Sequence, residues 1–229
     1  MSAPLWSPTP ERVAASAMAA FMARVNANHG LTLDGYDMLH RWSVTHPELF
    51  WNEIWDDSAV IGDKGSVTLL DADRMPGARF FPEARLNFAE NLLRGAGDGP
   101  ALLFNNEGRM AAPPISHAQL RADVARLAAA LKSWGVAPGD RVAAFMPNCP
   151  ETIVAMLAAA SIGAVFSSCS PDFGVRGVLV RFGQITPKVL IACDGYRYAG
   201  KVLPAHDKLA EIIAGLPTLE HVVTVPFIG

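Results

Sequence analysis

Short apolar runs alternate with amphipathic segments along the second half of the chain. The apolar runs predict five β-strands, at residues 101–106, 141–146, 164–168, 188–193 and 220–225. The segments between them predict four helices, one beginning near Ser116 and three more over 149–162, 174–184 and 204–214. Strands and helices that alternate in this way form parallel sheets with right-handed crossovers. The sequence therefore predicts an α/β fold with a doubly wound parallel sheet.

Capping residues mark the ends of the first two of these helices. Ser116 is typical of an N-cap, and Gly135 ends the same helical pattern. Asn148 followed by Glu151 predicts a capping box for the second helix, and Gly163 is placed where a helix C-terminus favours a left-handed residue.

A stretch of 20 residues, 152–171, carries no charge. A transmembrane helix needs roughly 20 mostly apolar residues, but Gly163 and four serines interrupt this stretch and Pro171 closes it. We therefore interpret it as a core helix followed by a buried strand, and we expect no membrane association.

The first 94 residues have a different pattern and predict a helical layer. Thr9 and Pro10 begin one helix that carries Phe21 and Val25, and Pro47 begins a second. The second helix contains three large aromatic residues, which we interpret as packing residues: Phe50, Trp51 and Trp55. The glycine-rich segment 95–100 is the expected joint, which gives domains at 1–94 and 95–229.

Composition and cysteine usage exclude several classes of protein. The 19 basic and 22 acidic residues give a net charge of -3, and no basic cluster predicts nucleic-acid binding. The three cysteines are odd in number and widely spaced, which argues against a disulfide framework. Because the N-terminus also lacks the pattern of a signal peptide, we expect a cytoplasmic protein.

Common catalytic motifs are absent from the sequence. It contains no Gly-Lys-Ser/Thr phosphate loop, no dinucleotide-binding glycine fingerprint and no nucleophile elbow. The six histidines are scattered and do not have the spacing of a metal site. The predicted fold alone does not identify a function.

Four segments in a fixed order do suggest a family. They are LWSPTPERVAASAMAAFM, FWNEIW, MPGARFFPEARLNFAENLL at 75–93, and DGYRYAGK at 194–201. Together they resemble the acetoacetyl-CoA synthetases, which are acid–CoA ligases of the adenylate-forming superfamily, and the likeness extends over essentially the whole chain.

The resemblance implies a two-step reaction with acetoacetate, ATP (with Mg²⁺) and CoA as substrates. The carboxylate becomes an acyl-adenylate with loss of pyrophosphate, and the thiol of CoA then displaces AMP. The family's phosphate loop, hinge and C-terminal domain would lie beyond residue 229. We therefore expect an N-terminal portion that does not catalyse adenylation alone, because it lacks the groups that stabilise the transferring phosphates.

A second hypothesis is a free-standing ligand-binding or regulatory module derived from such an enzyme. The DNA beyond codon 229 distinguishes the two: a Ser/Thr/Gly-rich loop supports the ligase, and unrelated sequence supports the module.

The resemblance also implies two CoA-binding residues, Arg197 and Lys201. The nucleotide of CoA carries a 3′-phosphate and a pyrophosphate, for which an arginine fork and a lysine charge are suitable partners. The alternative is that both are solvated cations on a loop. A third family contact does not carry over, because Pro171 and Asp172 stand where acetate-type relatives have two glycines, and an acid disfavours phosphate.

The last predicted strand has little protection as a sheet edge. Val222–Val225 contains no lysine, proline or acid that would prevent edge-to-edge pairing. We therefore expect possible self-association through this strand.

Overall fold

The computed structural model describes residues 5–107 and 113–228. The chain forms two compact units that divide between Leu86 and Asn87. The domain boundary that we predicted at residues 94 and 95 stays a prediction.

In its described residues the first unit consists of helices and very short strands. The helices are α1 (Pro10–Ala14), α2 (Ala17–His29), α3 (Tyr36–Thr45) and α4 (Pro47–Asp57). The strands are β1 (Gly62–Asp63), β2 (Leu69–Leu70), β3 (Arg79–Phe80) and β4 (Arg85–Leu86). β1 pairs with β4 and β2 pairs with β3, both antiparallel.

The helical prediction for this unit is confirmed in outline and corrected in detail. The single helix expected from Pro10 is two helices, because the Ser16 side chain accepts a hydrogen bond from Ala19 N at 3.2 Å and starts α2 anew. Pro47 begins a helix as predicted, whereas α3 and the four short strands were not predicted.

An aromatic cluster forms the core of the first unit. Phe21, Val25, Leu39 and Trp42 are buried in it, and Phe50 meets Phe21 edge to face with ring centroids 6.0 Å apart. Phe50 is thus a packing residue, as predicted. Trp51 is 38% exposed but its ring also packs edge to face on Phe50 and Phe80, and Trp55 packs on Phe81 with ring centroids 4.9 Å apart.

The second unit alternates strands and helices. Its helices are α5 (Phe88–Leu92), α6 (His117–Ser133), α7 (Pro150–Ser161), α8 (Val175–Ile185) and α9 (His206–Ala214). Its strands are β5 (Pro100–Leu102), β6 (Ile115–Ser116), β7 (Arg141–Phe145), β8 (Val165–Cys169), β9 (Val189–Cys193), β10 (Gly195–Tyr198), β11 (Lys201–Pro204) and β12 (His221–Val225).

Four of these strands form a parallel sheet in the order β12-β9-β7-β8. Alternate residues of β7 face opposite sides: Val142 and Ala144 pack with the cluster that includes α6 and α7. Ala143 and Phe145 pack with the cluster that includes α8 and α9. Both faces are therefore covered by helices, which confirms the α/β doubly wound prediction.

The prediction of a fifth parallel strand at 101–106 is wrong. β5 pairs instead with β6 in a separate antiparallel ladder, which takes up its backbone groups. A strand of a doubly wound sheet would be covered on both faces, but Leu103 in this segment is 78% exposed.

Some capping predictions are confirmed and one is wrong. The Ser116 side chain accepts from Gln119 N at 3.1 Å, and Gly135 and Gly163 have φ values of 74° and 76°. The capping box from Asn148 does not form, because Pro150 fixes the first turn of α7 and Cys149 is the N-cap, without a side-chain hydrogen bond. None of the described helices is both long and apolar enough to span a membrane.

Candidate functional site

The loops that follow parallel strands gather at the carboxyl edge of a sheet, where ligands of open α/β folds bind. A cavity of about 190 Å³ lies at this edge of the second unit. Its lining residues come from the segment after β5, the loops after β7 and β8, strand β10, and the segment after β12: Phe104, Asn105, Asn106, Pro147, Asn148, Ser170, Pro171, Asp172, Tyr196, Arg197, Tyr198 and Phe227.

One wall of the cavity is the hairpin of β10 and β11, where we expected only a loop. Ala199 and Gly200 form its turn with φ values of 49° and 74°. Two positive φ values in a two-residue turn match the twist of the paired strands, and glycine adopts this conformation at little cost. Gly200 N also donates a hydrogen bond to Glu107 Oε2 at 2.9 Å.

Asp194 and Gly195 connect this hairpin to the segment after β12. Asp194 Oδ1 accepts hydrogen bonds from Phe227 N at 2.7 Å and from Ile228 N at 3.0 Å. A Cβ atom on Gly195 would lie 2.6 Å from Ile228 Cδ1 and 2.7 Å from the backbone oxygen of Leu203, and because backbone cannot move aside easily, glycine is required here. Neither role was predicted, because the partners are about thirty positions away in sequence.

The structure places the two predicted site residues differently. Arg197, on β10, lines the cavity, and its Nε atom is buried without a hydrogen-bond partner in the described structure. Lys201 begins β11 opposite Tyr198 and is exposed, and it does not line this cavity. The structure therefore brings only Arg197 to the cavity.

Asn106 is a cavity residue that no sequence motif selects. Its Nδ2 atom is also buried and has no partner among the described residues. A buried donor without an acceptor costs roughly 1–3 kcal/mol. Native structures contain few such atoms, and each calls for a physical explanation.

Asp172 contributes a negative charge to the same cavity. Ser170 Oγ donates a hydrogen bond to Asp172 Oδ2 at 3.1 Å. Burial, and then the neighbouring Asp172 carboxylate, raise the pKa of Tyr196 above its usual value. The cavity thus carries a guanidinium, three side-chain amides and one carboxylate that already has a hydrogen-bond partner, an arrangement suited to binding.

Lys208 adds a second basic group near this edge, and sequence reasoning missed it. Its Nζ lies 3.4 Å from Pro171 O and 5.9 Å from the centre of the Tyr196 ring. In the part of the chain that the structure describes, no cluster of three histidine, cysteine or acidic side chains is placed to hold a metal ion.

Two family models match the chain. One, described as acetyl-coenzyme A synthetase N-terminus, matches residues 36–92. The other, described as AMP-binding enzyme, matches residues 90–227, which is more than half of the chain. The chain belongs to the AMP-binding enzyme family.

Two curated relatives and one solved structure show which of the AMP-binding enzymes this chain is similar to. The chain is 50% identical to acetoacetyl-coenzyme A synthetase of Rhizobium meliloti (strain 1021), over 99% of this chain and 34% of that relative. It is 43% identical to acetoacetyl-CoA synthetase of Xenopus tropicalis, over 98% of this chain and 34% of that relative. Acetoacetyl-CoA synthetase from Streptomyces lividans superimposes with a TM-score of 0.94 at 45% identity, over 100% of this chain and 36% of that one.

These matches confirm the resemblance inferred from the sequence and the fold expected from it. The chain spans about a third of the length of the relatives that it matches, corresponding to their N-terminal portion. Its sheet and helices form part of the α/β fold of the adenylate-forming enzymes.

Proposed function

We propose that the chain is the N-terminal portion of an ATP-dependent, AMP-forming acetoacetate–CoA ligase, and that its own residues bind the nucleotide end of CoA. The observation that carries the second part is the buried Arg197 Nε, which has no partner in a cavity at the carboxyl edge of the sheet. The names of the relatives support the reaction class.

The proposed reaction uses acetoacetate, ATP with Mg²⁺, and CoA. The acetoacetate carboxylate attacks the α-phosphorus of ATP and releases pyrophosphate, which gives an acyl-adenylate. The CoA thiol then attacks the acyl carbon, loses its proton and displaces AMP. In this reaction the described residues help to hold CoA. The phosphates of CoA are the charged groups through which the protein positions it for the second step.

Arg197 and Lys201 have different proposed roles. A guanidinium in a sheltered cavity forms short, charge-assisted hydrogen bonds to phosphate oxygens. Lys201 is exposed on the hairpin, so it contributes a general positive charge that salt screens over roughly 8–10 Å.

Calorimetric titration of the chain with CoA tests this proposal. We expect weak, salt-sensitive binding, because the cavity is open to solvent on one side and phosphate contacts are screened by ions. Arg197→Ala should lower the affinity by at least about tenfold, the effect of losing a charge-assisted hydrogen bond. Lys201→Ala should lower the CoA affinity less than Arg197→Ala does. The difference in affinity between Lys201→Ala and the wild-type chain should shrink at high salt.

Arg176→Ala is the matched control, since Arg176 is an exposed arginine of α8 that does not line the cavity. It should bind CoA like the wild-type chain. Equal CoA affinity in Arg197→Ala and Arg176→Ala would reject the assignment of the site.

A second proposal concerns the edge strand β12. In the described structure β12 pairs only with β9, so one side of its backbone is open. A groove of about 430 Å³ runs beside it, lined mostly by apolar side chains that include Leu127, Val154 and Val223. An open edge beside an apolar groove favours association with a second copy of the chain.

Light scattering after size exclusion tests this association at tens of micromolar, where open strand edges are prone to aggregation. We expect oligomers for the wild-type chain and monomers for Val223→Lys, which places a charge in the groove. Thr224→Lys is the control, because successive strand residues face opposite sides. A monomeric wild-type chain would refute the proposal.

The cytoplasm is the proposed compartment. All three cysteines are free and buried, as expected for a protein that folds under reducing conditions. Measuring the location of a tagged chain by cell fractionation tests this directly.

A further inference from the structure

Two buried donor atoms share the cavity at the carboxyl edge of the sheet. They are Arg197 Nε and Asn106 Nδ2, and no other buried side-chain nitrogen or oxygen in the described residues lacks a partner. Both residues line the same space of about 190 Å³. Because the two residues come from separate parts of the chain, two unpartnered donors in the lining of one small cavity point to a shared acceptor.

Two acidic side chains in the loops around the cavity accept hydrogen bonds from the protein itself. Asp194 Oδ1 accepts two backbone hydrogen bonds, and the Asp172 carboxylate accepts from Ser170 Oγ. The loops around the cavity are thus able to provide partners where folding requires them. The described residues supply no acceptor for these two donors.

We propose that Asn106 is a second binding residue of this site and donates to the same phosphate group as Arg197. This inference rests on the proposed function, since it assigns the phosphate to the nucleotide end of CoA. A charged Nε–H and an amide N–H together match a group with several acceptor oxygens, and phosphate is such a group. Asn106 holds the phosphate from the segment after β5, while Arg197 holds it from β10.

Asn106→Leu provides a test because it removes the amide and keeps a side chain of similar length. Calorimetry would use four separate probes: CoA, adenosine 3′,5′-bisphosphate, ATP and inorganic phosphate. We expect the affinity for CoA and for the bisphosphate to fall roughly ten- to a hundredfold, as for a lost hydrogen bond to a charged group. The urea midpoint of the unliganded chain should stay the same or rise, because an unsatisfied donor has been removed.

A second variant protects the test from misfolding. Asn106→Asp is nearly the same size and places an acid beside the phosphate, so it should weaken CoA binding at least as much as Asn106→Leu. Salt screens this repulsion, so the loss caused by the acid should shrink at high salt, whereas the attraction between CoA and the wild-type chain weakens. The control is Gln184→Leu, which removes an exposed amide of α8 that donates only to Val180 O of its own helix in the described contacts. This control should bind CoA normally.

Each outcome decides the matter. If Arg197→Ala loses CoA binding while both Asn106 variants keep it, the role of Asn106 is overturned and the proposed function stands. If the wild-type chain binds none of the four probes, the proposed function fails and this inference with it. A lowered urea midpoint in Asn106→Leu would show a structural role and overturn the proposal. If ATP or inorganic phosphate binds as tightly as CoA and depends equally on Asn106, the phosphate chemistry is supported and CoA as its source is overturned.

Discussion

Glu53 in α4 is the most informative residue for testing the energetics of the first unit. It is a buried carboxylate, only 7% exposed. Asn28 Nδ2 donates to Glu53 Oε1 at 3.0 Å, His29 Nε2 lies 3.0 Å from the same oxygen, and Arg24 Nε donates to Oε2 at 3.3 Å. These contacts join α4 to α2, so Glu53→Gln should weaken the packing of the two helices.

The expected loss of unfolding free energy in Glu53→Gln depends on which contacts of the carboxylate the glutamine amide can keep. The glutamine oxygen still accepts from one neighbour, but the NH₂ group then faces another donor and the negative charge is lost. A hydrogen bond to a charged group is worth about 1.5–3 kcal/mol. Arg24 keeps a second partner in Asp57, and Asn28 is exposed to water, which limits the loss. We expect the free energy of unfolding to fall by about 2 kcal/mol at pH 7.

The pH dependence gives an independent check with a definite sign. Burial raises the pKa of Glu53, but the hydrogen bonds from Asn28, Arg24 and His29 outweigh it and leave the pKa below its ordinary value of 4.5. A carboxyl group with a lowered folded pKa stabilises the fold above its unfolded pKa and loses that effect as the pH falls through the folded value. The difference in unfolding free energy between the wild-type chain and Glu53→Gln should therefore be largest at pH 7 and shrink below pH 4.5.

Urea unfolding followed by tryptophan fluorescence measures this difference. Trp42 is a suitable reporter, since its ring lies 5.3 Å from the His29 ring. Glu48→Gln is the control, because Glu48 is an exposed carboxylate in the first turn of the same helix and its loss should cost under about 1 kcal/mol. A Glu53→Gln loss no larger than that of Glu48→Gln, or one that persists unchanged into acid, would refute the reasoning.

Three further predictions concern the second unit. Burial raises the pKa of the Cys149, Cys169 and Cys193 thiols, that of Cys193 to about 11, so Ellman's reagent should label all three slowly at pH 8 and fast only in urea. Asp194→Ala should lower the free energy of unfolding by about 2–3 kcal/mol, measured by urea denaturation, because two backbone donors lose their acceptor; no change would contradict that role. Asp172→Asn should tighten CoA binding by a few-fold at low salt, measured by calorimetry, since a negative charge leaves the cavity; weaker binding would instead show that the carboxylate contacts CoA.

The parallel sheet was predictable because its strands are buried on both faces. Such strands are continuous apolar runs, and β9 is fully buried along its length, so its pattern is visible without knowledge of its neighbours. The segment at 101–106 is also apolar at its start, but its pairing with β6 depends on a ladder that apolar runs do not reveal. Periodicity predicts burial, and it does not predict which strand pairs with which.

The cavity was less predictable than the sheet. Arg197 could be assigned only through resemblance to a family, and the hairpin that presents it depends on a positive φ at Ala199, a residue type that rarely adopts it. Asn106 and Asp194 have no local signal at all, since their roles depend on residues that are distant in sequence. Sequence patterns therefore predict the framework well and the residues of the candidate site poorly.

Asp194 and Asn106 differ in whether described residues of the protein satisfy their buried polar atoms. Asp194 has its acceptor oxygen filled by two backbone amides of the protein, so its contribution is present without ligand and its removal should destabilise the chain. Asn106 has a buried donor without a partner among the described residues, so we expect its removal to spare stability. Only the binding measurement then separates the two origins of the cavity. If the cavity binds CoA, Asn106→Leu should lose CoA affinity without losing stability. A cavity that merely resulted from imperfect packing would leave CoA affinity unchanged in Asn106→Leu, whatever the effect on stability.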